Sequence, residues 1–209
     1  MRAPRRHLLI AFVIAVIAAA ANAQPVTLNG VTFSDELGGF TIVATSGSGS
    51  LEDPFLVVES ITGPGAAVLV IRGLSPEFGN HVRTYHPTGF ALRKIVTNRT
   101  PFTWNLVDFE LQQRLGLSSD TLDGLSFGQG ANSGRPFRSN RFMRVAEIHE
   151  PVDYVSFHDG DLKPGETATF DVIVTDTTPV ALFYLVQRPN RPVARAAGGT
   201  APPGGEPPW

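Results

Sequence analysis

The 209-residue chain contains no cysteine. That excludes disulfides and a thiolate nucleophile, and it removes the residue that a lipid anchor on a mature N-terminus would use. Positive charge is also in short supply. Seventeen Lys and Arg stand against nineteen Asp and Glu, for a net charge of −2. No basic run or face is visible, so a nucleic-acid partner is not expected. Long apolar runs are missing as well. The stretch of residues 8–20 has thirteen residues and would reach only about 20 Å as a helix, short of the ~30 Å hydrocarbon core of a bilayer.

That same run has the flanks of an export signal. Arg2, Arg5 and Arg6 precede it, and Ala21-Asn22-Ala23 follows with small residues at the −3 and −1 positions of a cleavage site. The order of charge, short apolar helix and A-x-A identifies residues 1–23 as a signal peptide, with the mature chain starting at Gln24. Arg5-Arg6-His7-Leu8-Leu9 also fits the twin-arginine outline, so the sequence leaves the export route open between that system and the general secretory one. The mature chain carries a net charge of about −5 once the three leader arginines are removed. Without disulfides, an exported domain must rely on its core, and the missing cysteine points to a bacterial host. The expected location is the periplasm or the extracellular medium, with no membrane anchor after cleavage.

Beyond the leader, short period-two runs alternate with Gly, Pro, Asn and Asp. Asn29-Gly30, between two β-prone triplets, predicts a hairpin, because both central residues of a type I′ turn need positive φ. Residues 55–61 and 66–72 flank Thr62-Gly63-Pro64-Gly65 and predict a second hairpin. Residues 167–176 read as a strand with Ala168, Phe170, Val172 and Val174 on one face. Residues 181–186 are apolar on both faces, as in a central strand. Residues 106–117 read as a strand followed by a short turn. Apolar residues fall on even positions through Trp104 and Leu106 but on odd ones from Val107 to Leu111. One residue of offset turns a strand's side chains over, so a β-bulge is predicted at 105–107. The expected fold is all-β, an antiparallel β-sandwich of jelly-roll or immunoglobulin-like type with nine or ten strands, spanning residues 24–187. Residues 188–209, rich in Pro, Gly and Ala, are expected to form a disordered tail.

Chemistry-bearing residues are thinly spread. His81, His86, His149 and His158 have no spacing that would converge locally on a metal. Asp120 with Asp123, and Asp159 with Asp161, lie in oxygen-rich turns and are the calcium candidates; neither matches the EF-hand loop. No other cofactor is expected. Tyr85 and Tyr154 lie beside loops and are the candidates for ligand contact. Ser48, Ser126 and Ser156 lack a nucleophile-elbow context, so no catalytic residue is assigned. Asn98-Arg99-Thr100 is a glycosylation sequon by pattern only, with Pro101 following.

The block Ile95-Val96-Thr97-Asn98-Arg99-Thr100-Pro101-Phe102-Thr103-Trp104, followed by Asp108-Phe109-Glu110-Leu111, resembles bacterial exported β-sandwich proteins of surface or matrix type. Leu162-Lys163-Pro164-Gly165-Glu166-Thr167 and Phe183-Tyr184-Leu185-Val186-Gln187-Arg188-Pro189 are similar to the closing part of such domains. The resemblance carries over no catalytic residue and departs at the C-terminus, where no sorting segment is present. The expected function is an exported structural or interaction module with an extracellular protein or glycan partner. A glycan- or calcium-binding domain is the alternative, and a hydrolase the third reading.

Overall fold

The computed structural model describes residues 25–119, 123–128, 137–148 and 153–190. The expected signal peptide, Asp120, His149 and residues 191–209 of the C-terminal segment lie outside the described residues. Those described form thirteen strands and no helix, arranged as two sheets and not as a closed barrel. The fold is a β-sandwich.

One sheet has the order β1 (Val26–Leu28), β2 (Val31–Ser34), β5 (Ala67–Arg72), β13 (Leu182–Pro189), β7 (Val107–Gln112), β11 (Tyr154–Gly160) and β10 (Phe142–Ile148). The other has the order β3 (Phe40–Ser46), β4 (Phe55–Ile61), β6 (Thr88–Asn98), β12 (Thr167–Asp176) and β8 (Leu125–Phe127). β9 (Arg138–Ser139) also pairs with β12. The strand count exceeds the expected nine or ten partly because β8 and β9 have only three and two residues, too few to show a period.

The Asn29-Gly30 turn forms as expected, with φ of 46° and 85°, and joins β1 to β2. The second expected hairpin does not form. β4 pairs with β3 and β6, whereas β5 pairs with β2 and β13 in the opposite sheet. The 62–66 segment is a crossing between sheets, pinned where Thr62 N and Gly63 N donate to the Gly39 carbonyl at 3.0 and 2.8 Å. A turn signal fixes reversal of the chain; it does not choose the sheet that the next strand joins. With one strand diverted, β4 and β6 run the same way, and they pair in parallel. All other pairs of named strands are antiparallel.

Alternation decides what enters the core. Ala168, Phe170, Val172 and Val174 of β12 are buried on the face expected for them. Ile173 points the other way and is still enclosed, because Val82, from the 73–87 segment, packs with it and Ala91 on the outer face. β13 is the fourth of seven strands, in the central place its two-sided apolar pattern implies. Phenylalanine rings carry much of the packing: Phe33 meets Phe55 edge-on at 5.3 Å, and Phe157 meets Phe170 at 4.9 Å. Each such ring contributes roughly 1.5–3 kcal/mol by burial, which a domain without disulfides needs.

The expected bulge at 105–107 is a strand break instead. Trp104 forms an isolated bridge with Leu162, and β7 begins only at Val107. Asn190 holds the break, its Oδ1 accepting from Asn105 N at 2.7 Å and its N donating to the Leu106 carbonyl at 2.8 Å. Trp104, Val107, Phe109 and Leu111 are all buried, so both apolar sets do reach the core. β13 runs on to Pro189, so Arg188 and Pro189 are sheet residues and not the start of a tail.

Candidate functional site

The residues expected to bind ligands are dispersed by the fold. Asp123 leads into β8, its Oδ1 accepting from Leu125 N at 3.0 Å, while its carbonyl accepts from Gln113 Nε2 and Thr178 Oγ1, both at 2.7 Å. It lines a shallow cleft of about 230 Å³ with Gln113, Arg114, Leu117, Ser118 and Ser119. Asp159 lies on β11 of the other sheet, with Oδ2 2.9 Å from Arg144 Nε. Asp161 follows in the next loop; the hydrogen bond to Glu166, with a smaller contribution from the Asp161 charge, raises the Arg141 guanidinium above its ordinary value. No group of three or more His, Asp or Glu side chains placed to hold a metal ion occurs among the described residues.

His81 stacks on Phe78, the ring centroids 4.3 Å apart, with Nε2 2.9 Å from the Phe78 carbonyl. His86 lies in the same loop, its carbonyl accepting from Asn80 Nδ2 at 2.6 Å. His158 is on β11, in the opposite sheet. Tyr85 is 85% exposed in the 79–87 loop, and Tyr154 is half-buried at the start of β11, opposite Glu110 of β7. The two tyrosines therefore belong to different parts of the sandwich.

The fold brings together three side chains that sequence reasoning passed over. Lys94 of β6, Glu59 of β4 and Gln187 of β13 are completely buried in the core between the sheets. Each occupies a position that alternation assigns inward: Phe90, Leu92, Lys94 and Val96; Phe55, Val57, Glu59 and Ile61; Phe183, Leu185 and Gln187. A polar residue in an apolar register was the available signal. Lys94 Nζ donates to Glu59 Oε1, and Gln187 Nε2 donates to Glu59 Oε2 at 2.9 Å. The carboxylate thus bridges an amine from its own sheet and a carboxamide from the other. Phe109 walls the group, its ring centroid 6.0 Å from Nζ. Burial pushes the Lys94 amine below its ordinary lysine value, and the charge and hydrogen bond of Glu59 only partly offset this. Gln187 Oε1 is buried with no hydrogen-bond partner.

The chain matches no protein-family model, no curated protein and no solved structure.

Other buried polar groups are spent on holding the fold. Asn98 donates Nδ2 to the carbonyls of Phe102 and Leu162, both at 2.9 Å, while Oδ1 accepts from Thr100 N and Oγ1. Trp104 Nε1 then donates to Thr100 Oγ1 at 2.9 Å. The sequon asparagine is therefore the hub of a buried turn. On the outer face of β7, Glu110 is enclosed and engaged by Ser118 Oγ and Arg188 Nη1. Asp171 of β12 accepts from Arg93 Nε at 2.6 Å and Arg138 Nε at 2.7 Å.

Proposed function

We propose that the protein is an exported structural or interaction module, whose activity is binding and not turnover. The observation that carries this reading is the placement of its fully buried lysine. Lys94 is sealed between the sheets, bonded to Glu59 of its own sheet and set over the Phe109 ring of the other, so its chemistry is directed at the fold and not at a substrate in a cleft. Asn98 supports the same reading, since its side chain is used up within the domain. The leader-like residues 1–23 support export to the periplasm or beyond, and the resemblance to surface or matrix sandwiches supports an extracellular protein or glycan partner.

The second reading, a glycan- or calcium-binding domain, is favoured by the cleft that contains Asp123, Ser118 and Ser119 and by the exposed ring of Tyr85. The two separate by experiment. Thermal melts of the purified mature chain with millimolar calcium and with chelator are expected to coincide, and a rise in Tm with calcium would favour the second reading. Hydrolysis of ester, glycoside or peptide substrates that is lost in Asp123→Asn or His81→Ala would overturn the first.

A further inference from the structure

We infer that Lys94 and Gln187 join in an amide cross-link between β6 and β13, with Glu59 carrying the protons. This goes beyond the proposed function and does not depend on it.

The reactants are in place. An amine, a carboxylate and a carboxamide are enclosed together in an apolar core, and the carboxylate touches both of the others. Amines and amides exchange slowly in water because the amine is protonated and the two groups meet rarely. Burial removes both obstacles. It favours the neutral amine of Lys94, and it holds the partners at high effective concentration in one geometry. Glu59 is the general acid–base that the exchange requires, within hydrogen-bond reach of the nitrogen that attacks and the nitrogen that leaves.

The step balances without a cofactor. Glu59 takes one proton from the Lys94 ammonium, and the freed lone pair attacks Cδ of Gln187 while the carbonyl π pair moves to Oε1. The Glu59 carboxyl returns its proton to Nε2. The oxyanion pair re-forms the carbonyl, the Cδ–Nε2 bond breaks, and ammonia departs with that bonding pair. Nζ gives up a second proton, through Glu59, to the ammonia. One amide has formed, one has been lost, ammonium is released, and Glu59 is again a carboxylate.

The unreacted arrangement also leaves polar capacity unused. Among the described residues, Glu59 is the one hydrogen-bond partner of the three-donor Lys94 ammonium, and Gln187 Oε1 accepts nothing. Reaction would replace a buried ammonium by a neutral amide, lessening the burden of charge in the core. It would also tie together two sheets that no disulfide can join, since the chain has no cysteine.

Intact-mass measurement of the mature full-length protein tests this without any substitution. Apart from the ammonia that an N-terminal Gln24 loses when it cyclises, the expected mass is lower than the sequence mass by one ammonia, a loss that maps to the peptides of Lys94 and Gln187. Trypsin should then fail to cut after Lys94 and release a branched peptide carrying both Lys94 and Gln187. Glu59→Gln, prepared in the same way, is expected to show no loss at those peptides. A wild-type protein with no ammonia lost there overturns the inference. So does loss of one water with Lys94 joined to Glu59, or a Glu59→Gln protein that cross-links as completely as wild type.

Discussion

Gln187 of β13 donates its side-chain Nε2 to Glu59 Oε2 of β4 at 2.9 Å, a hydrogen bond from one sheet to the other inside the apolar core. Because Glu59 also holds Lys94, two fully buried charged side chains lie in the layer that holds the two sheets together. Isolated charges are costly there, so the behaviour of this group depends on its being complete.

Removing one member should be worse than removing two. Glu59→Leu leaves Lys94 enclosed with no counter-charge and is expected to cost about 3–5 kcal/mol. Adding Lys94→Met to it takes away the stranded amine and should recover much of that loss. Urea unfolding of the two variants, compared at a common m-value, checks the order. A double variant less stable than Glu59→Leu alone would contradict it.

Asn98→Ala withdraws two donated bonds and two accepted ones from a buried turn. Each partner left unpaired costs about 1–3 kcal/mol if water cannot reach it. The turn carries Trp104 through Thr100, so the Trp104 environment should loosen as well. The expected readouts are a lower Tm and red-shifted tryptophan emission. An unchanged Tm would show that the Asn98 bonds are replaceable.

Asp171 sets a sign for acid behaviour. Burial pushes its carboxyl up, but the hydrogen bonds from Arg93 and Arg138 outweigh this and hold it below the usual aspartate value. A folded pKa below the unfolded one contributes stability above the unfolded value, about 3.9, and loses it as pH falls through the folded one. Asp176 has the opposite sign, since burial raises its carboxyl despite bonds from Thr178 N and Val180 N. Its contribution is full below the unfolded value and is lost as pH rises through the folded one. Urea unfolding from about pH 2 to about pH 7 should therefore show a flatter acid limb in Asp171→Asn and a steeper one in Asp176→Asn.

Gly73 ends β5 at φ +90°, and a Cβ there would lie 2.2 Å from the Gly30 carbonyl oxygen. Gly73→Ala meets both a disfavoured backbone and a direct clash with the β1–β2 turn. A loss of more than about 1 kcal/mol is expected, read as a lower urea midpoint. A variant as stable as wild type would mean that the hairpin can move away freely.

Much of the architecture was legible where its cause is local. Asn29-Gly30 dictates its turn because both residues adopt positive φ, and period-two burial follows from the pleat, as β12 shows. The same periodicity placed Lys94, Glu59 and Gln187 at inward positions, though it could not say what they would meet there. The strand break at 105–106 was visible only as a change of phase, because a bulge and a break both turn the side chains over. The crossing at 62–66 was not legible at all, since chain reversal is a property of the turn while sheet membership depends on strands far along the chain. The core group was decided at that level. The parallel register that sets Val57 opposite Lys94 and Glu59 opposite Val96 exists only because β5 was diverted to the other sheet. Gln187 reaches Glu59 only because β13 then pairs with β5 in the sheet that faces β4 across the core. Residue type and alternation thus determined what points inward; long-range pairing, through which distant strands share one interior, decided what touches what.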